Sequence, residues 1–152
     1  LKIPFFSKKD FFSDVEKNQI VAAIREAERQ TSGEIRLYVE SRCRFVDPLD
    51  RAAEIFEVLK MKQTSAHNAV LIYLAVKDRQ VAVFGDQGIH EKVGEAFWAQ
   101  EVKHMLSEFQ AAHYSEALTK VVKDIGEALR SHFPYDRQSD INELPDDIVF
   151  GR

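Results

Sequence analysis

A chain of 152 residues is about one domain long and buries roughly 68–70% of the surface its unfolded form exposes, which makes room for one core rather than two. Apolar residues at 45% and charged residues at 30% exclude intrinsic disorder. A net charge of −4, with Lys and Arg scattered singly among acids, leaves no footprint for a phosphate backbone, so nucleic acid is not an expected partner.

The opening Leu1-Lys2-Ile3-Pro4-Phe5-Phe6 lacks the apolar stretch and small-residue cleavage site of a signal peptide. No charge-free apolar run approaches the roughly 18 residues of a membrane span. The single Cys43 forms no internal disulfide and favours a reducing compartment. A cytoplasmic monomer is therefore expected, or an exported form if a leader was removed before residue 1.

In chain order, Ser13-Asp14-Val15-Glu16 has the form of a capping box, with Phe12 placed as a hydrophobic staple, and Ile20, Val21, Ile24 and Ala27 follow at helical spacing. This helix is expected to end near Thr31-Ser32-Gly33, with Gly33 as its left-handed terminator. From Glu34 to Glu40 the period becomes two. Ile35, Leu37 and Val39 share one face, and Arg36, Tyr38 and Glu40 a wetter one. Pro48 opens a second helix carrying Ala52, Ile55, Phe56 and Leu59. Ala69 to Val76 is continuously apolar and reads as a central strand covered on both faces. A short turn at Lys77-Asp78-Arg79-Gln80 leads into a hairpin strand from Val81 to Phe84.

Gly85-Asp86-Gln87-Gly88 breaks that strand. A helical stretch with Phe97, Trp98, Val102, Met105, Leu106 and Phe109 follows, with Gly94 interrupting its first turn, and a last helix runs from about Ser115 to Phe133, before Pro134. Residues 1–134 read as a single α/β domain and 135–152 as an acidic tail, docked or partly flexible, whose Ile148-Val149-Phe150 would add an edge strand or fray. The predicted fold is an α/β/α sandwich with a small mixed sheet of three or four strands and helices on both faces.

This order constrains chemistry. A helical crossover makes the first two strands parallel, and the hairpin makes the third antiparallel. Gly33-Glu34, His67-Asn68 and Gly85-Asp86 should then converge at one end, with Asp47, Asp50 and Asp78 at the other. The first end gathers two carboxylates, an amide, hydroxyls and loop carbonyls, the oxygens a hard cation takes. Glu34, Asn68 and Asp86 are the expected ligands, Glu91 is available for recruitment, and calcium is the first choice with magnesium second. A protein partner held by the cleft or tail is the non-enzymatic alternative. Blander roles stand beside these: Gly33 as a helix cap, Asp86 as an N-cap for the following helix, the histidines as surface groups, and Trp98 as core. Cys43 is read as incidental.

Ile24-Arg25-Glu26-Ala27-Glu28 leading to Thr31-Ser32-Gly33-Glu34-Ile35-Arg36 resembles the opening of the TPM domain family. The resemblance extends through Arg51-Ala52-Ala53-Glu54-Ile55-Phe56, Asn68-Ala69-Val70-Leu71-Ile72-Tyr73 and Asp78-Arg79-Gln80-Val81-Ala82-Val83, then Gly85-Asp86-Gln87-Gly88, covering about residues 12 to 133. It implies an α/β/α sandwich, often with calcium or another divalent cation at a cleft. Some members resemble acid phosphatases, notably a thylakoid-lumen protein linked to photosystem repair, which implies metal-assisted hydrolysis of a phosphate-containing small molecule with Asp86 or His90 in proton transfer, and others act as receptor accessory proteins. This chain departs from the commoner Gly-aromatic-Gly turn and has Gly94 near the position of a later acid.

Overall fold

The structure, a computed structural model, describes residues 11–110, 113–135 and 148–151. The opening hexapeptide and most of the acidic tail lie outside the described residues. Helix α1 spans Asp14–Glu28, and its capping box is formed: the Ser13 hydroxyl accepts from Glu16 N at 3.1 Å, and Glu16 Oε1 accepts from Ser13 N at 2.8 Å. Phe12, just before the cap, is buried.

The helix ends earlier than expected, and Gly33 is not its left-handed terminator. Arg29 caps α1 in ordinary helical backbone, and Gly33 has no positive φ. Its lack of a side chain answers a close approach instead. A Cβ there would stand 2.7 Å from Leu129 Cδ2 and 3.0 Å from the Asn68 carbonyl.

Strand β1 follows at Glu34–Glu40, then helix α2 at Pro48–Val58, started by Asp47, whose carboxylate accepts from Leu49 N at 3.0 Å. Strands β2, Ala69–Ala75, and β3, Gln80–Gly85, form the hairpin. Helices α3, Gln87–Val93, and α4, Glu95–Gln110, replace the single stretch read from periodicity, because Gly94 at φ 80° divides them. Helix α5, Tyr114–His132, and strand β4, Ile148–Phe150, complete the described elements. The sheet order is β3-β2-β1-β4, with β1 parallel to β2 and β4 and β2 antiparallel to β3. The apolar knot of the tail is thus an edge strand.

Two cores explain the strand compositions. Ile35, Leu37, Val39, Val70, Ile72 and Leu74 face α1, α4 and α5, where Ile20, Ile24, Met105, Leu118, Val121 and Ile125 meet them. On the other face Leu71, Tyr73 and Ala82 pack against Ala52, Ile55 and Phe56 of α2. Each fully buried large aliphatic side chain contributes about 1.5–3 kcal/mol. All seven residues of β2 are buried, as an apolar run without alternation requires.

The second face of β1 is not wet. Arg36 and Glu40 are buried there, and Tyr38 stacks on Tyr73 of β2 with 6.4 Å between ring centres. Glu40 satisfies its charge there by taking both Arg51 Nε and Arg51 Nη2 at 2.9 Å, together with the Tyr73 hydroxyl.

One carboxyl group between α4 and α5 is set apart. Glu101 is buried near Asp124, and loss of hydration, followed by the hydrogen bond and charge of Asp124, pushes its pKa up to about 7, against the opposing pull of Lys120. The folded protein keeps this proton where the unfolded chain, titrating near 4.5, has lost it. Stability is therefore expected to fall as pH rises from about 4.5 to about 7 through this group. Glu101→Gln should remove that part of the pH dependence and raise Tm at pH 8. The gain should be about 1–2 kcal/mol, the usual cost of a buried group with unmet demands, or roughly 3–6 °C. Parallel wild-type and variant pH profiles would defeat the assignment.

Candidate functional site at the pole of the sheet

Because β1 and β2 run parallel and β3 returns antiparallel, the starts of the first two strands and the end of the third share one pole. Glu34 pairs with Ala69, and Asp86 N donates to the Ala69 carbonyl at 2.9 Å, one step beyond the Val70–Gly85 pair. Glu34, Ala69 and Asp86 consequently form one row across three strands. At about 4.8 Å between strands, the two acidic positions stand roughly 10 Å apart in backbone terms. Only the Ala69 methyl separates them within the row, and both acids are buried, 4% and 5% exposed.

Asn68, directly before Ala69, is held from several sides. Its Nδ2 donates to Ser32 Oγ at 3.1 Å, its N–H to Thr64 Oγ1 at 3.3 Å, and its carbonyl accepts from Glu34 N at 3.4 Å. Its Oδ1 is buried, and among the described residues no donor reaches it. A buried amide oxygen without a donor costs about 1–3 kcal/mol, a cost that a ligand or a water at this point would relieve.

Asp86 is the N-cap of α3: Oδ1 accepts from Gln87 N at 2.8 Å. Its other oxygen, Oδ2, lies 3.3 Å from His67 Nδ1. His67 sits in left-handed backbone at φ 52°, a strained setting for a residue with a side chain, and is more than half exposed. With Nδ1 donating to that carboxylate, the lone pair of the neutral ring lies on Nε2. His90 has the complementary state. Its Nδ1 accepts from Trp98 Nε1 at 3.0 Å, so the neutral ring carries its proton on Nε2 and donates. Glu91 stays on the exposed side of α3, where Gln87 Nε2 reaches it at 3.1 Å. Among the described residues, no group of three or more His, Cys, Asp or Glu side chains stands ready to hold a metal.

His67, Asp86 and His90 open onto a groove of about 870 Å³ that follows β3 from Leu49 and Val81 to Lys62 and His67, walled by α2 and α4. Asp47 lines it too, so the groove extends well beyond the pole. Asp78 belongs elsewhere, accepting from Arg42 at 2.9 Å and Cys43 N at 2.8 Å. Trp98 is a core residue, as expected, and its indole N–H also reaches His90. Gly85 makes room for it, since a Cβ there would stand 2.4 Å from the indole ring.

A buried acidic row, a capped loop and two oriented imidazoles at one pole of a mixed sheet define an α/β/α sandwich domain with a polar cleft. The chain belongs to the TPM domain family, which matches residues 6–128. It is similar to the BA42 protein of the psychrophilic bacterium Bizionia argentinensis, solved by NMR, at 37% identity and a TM-score of 0.85, over 99% of both chains. The fold alone is shared with the N-terminal domain of the cg2496 protein of Corynebacterium glutamicum, at 14% identity and a TM-score of 0.63, over 84% of each chain. No curated protein matches. No described helix is long and apolar enough to cross a membrane.

Proposed function

We propose that this TPM domain binds a divalent cation at the pole of its sheet, calcium first and magnesium second. The observation that carries the reading is the buried Asn68 Oδ1 without a donor, beside a row bearing two buried carboxylates. Glu34, Asp86 and Asn68 would supply side-chain oxygens, with loop carbonyls and water completing a coordination of 6–8. Two carboxylates make such a site weak, and Glu91 would join only by turning from Gln87.

Melting the protein with calcium, with magnesium and with chelator tests this. Cation at about 100 times its Kd should add about 2.7 kcal/mol, a rise of roughly 5–10 °C for this length. Asp86→Asn and Glu34→Gln should each abolish the rise. Identical melting in all three solutions would end the proposal.

A second reading, phosphomonoester hydrolysis, is favoured by the His67–Asp86 pair. In it His67 Nε2 takes a proton from the attacking water, and the His90 Nε2 proton is offered to the leaving oxygen. A bound cation would polarise the phosphoryl oxygen. With a nitrophenyl phosphate as substrate, His67→Asn should cost on the order of 10²–10⁴-fold in rate. Turnover unaffected by both His67→Asn and Asp86→Asn would place any activity elsewhere.

A further inference from the structure

The second face of the groove is not chemical but main-chain. Asp86 N donates to the Ala69 carbonyl, and the register continues through Leu71–Phe84 and Tyr73–Ala82. In an antiparallel ladder these alternate residues carry the hydrogen bonds to β2. The N–H and C=O groups of Val81, Val83 and Gly85 therefore turn away from β2, toward the groove that these residues line. Among the described residues no strand lies on this side of β3. The strand also carries no Lys or Pro, the usual guards of a free edge.

We infer that this edge receives an extended segment of a partner polypeptide as an added, fifth strand, apolar in its middle and basic at its ends. Such a strand would exchange hydrogen bonds with Val81, Val83 and Gly85 and set alternate side chains against Leu49 of the α2 wall, beside Phe84 of β3, and against Trp98 and Val102 of the α4 wall. Leu49, in the groove lining, is 48% exposed and offers apolar surface to an incoming strand. Charge selects the flanks. The lining acids are Asp47, Asp86 and Glu95, against Lys62, which Glu57 already engages at 2.6 Å. A second copy is a poor occupant, since its own β3 is recessed between the same two helices and the edges would not meet. The inference is independent of cation binding.

The test is a titration of the nitrogen-15-labelled full chain, in chelator, with a seven-residue peptide of alternating valine and threonine between terminal lysines. The amides of Val81, Val83 and Gly85 should shift and exchange roughly tenfold more slowly, and N-methylation of alternate peptide residues should weaken binding about tenfold or more. Glutamate in place of the lysines should also weaken it. Val83→Pro removes an outward donor while sparing the ladder to β2, and should lose binding while remaining folded. If that variant does not fold, the N-methylated peptide decides. Silence of the three amides at millimolar peptide, or equal binding of the N-methylated form, overturns the inference. Protection of these amides without peptide, rising with protein concentration alongside a dimeric mass, overturns it in favour of a second copy.

Discussion

Arg51→Met is expected to destabilise this domain by about 2–4 kcal/mol, lowering Tm by roughly 5–15 °C. Glu40 is 4% exposed, and Arg51 supplies two of its hydrogen bonds, both at 2.9 Å. Methionine keeps most of the apolar stem and removes the charge. The carboxylate would then lose its charged partner in a nearly dry site, while keeping the Tyr73 hydroxyl. Arg51 remains about one third exposed, so the loss falls toward the lower part of the range for fully buried pairs. The pair raises the already high Arg51 pKa, chiefly through the Glu40 hydrogen bond, and burial raises that of Tyr73, with Glu40 adding to it. Both therefore keep their protons throughout the working pH range. The diagnostic measurement is urea unfolding of Arg51→Met with and without Glu40→Gln. The second change should recover most of the loss, because it removes the stranded charge. A single-variant cost below about 1 kcal/mol would show that the pair behaves as a solvated surface bridge.

Gly88→Ala is expected to cost about 1–3 kcal/mol, or roughly 3–10 °C, and to disturb the candidate site as well. An added Cβ would lie 2.2 Å from the Ala66 carbonyl oxygen and 2.5 Å from that of His67. Both are backbone atoms, and the His67 carbonyl also accepts from Ile89 N at 3.2 Å. The first turn of α3 must therefore move away from the loop, separating Asp86 from His67. Thermal melting and the amide spectra of His67 and Gln87 read the two effects. An unchanged melting curve with an undisturbed His67 would show that the seat has slack. The variant should also lose the cation-dependent rise in Tm expected of the proposed site, since Asp86 travels with the helix start.

How far the residues themselves foretold this arrangement differs from element to element. Ser13 and Glu16 cap α1 through contacts three residues apart, so the start of that helix was legible in a four-residue window. The unalternating Ala69–Ala75 run implied cover on both faces, and both cores provide it. The parallel and antiparallel pairings followed from connection type, and with them the sharing of one row by Glu34, Ala69 and Asp86. Gly33 misled because glycine answers two needs, left-handed backbone and close approach, and the contact that decided between them, Leu129, lies 96 positions away in the chain. The wetter face assigned to β1 failed similarly: Arg36 and Glu40 alternate as exposed polar residues would, and the seating of α2 brings Arg51 to the buried Glu40 carboxylate.

Local sequence specified the start of α1, the strand character of β1, β2 and β3 and, through the type of connection, their relative directions, because capping and periodicity act between near neighbours and a helical crossover or a short turn fixes how two strands run. The division of α3 from α4 and the pairing of β4 with β1 lay beyond it. Tertiary structure alone decided that His67 leans on Asp86, that Trp98 supplies His90 with its hydrogen bond, and that β3 faces a groove between α2 and α4. Those outcomes depend on side-chain directions and on how helices seat against the sheet, and packing sets both only when the two cores close.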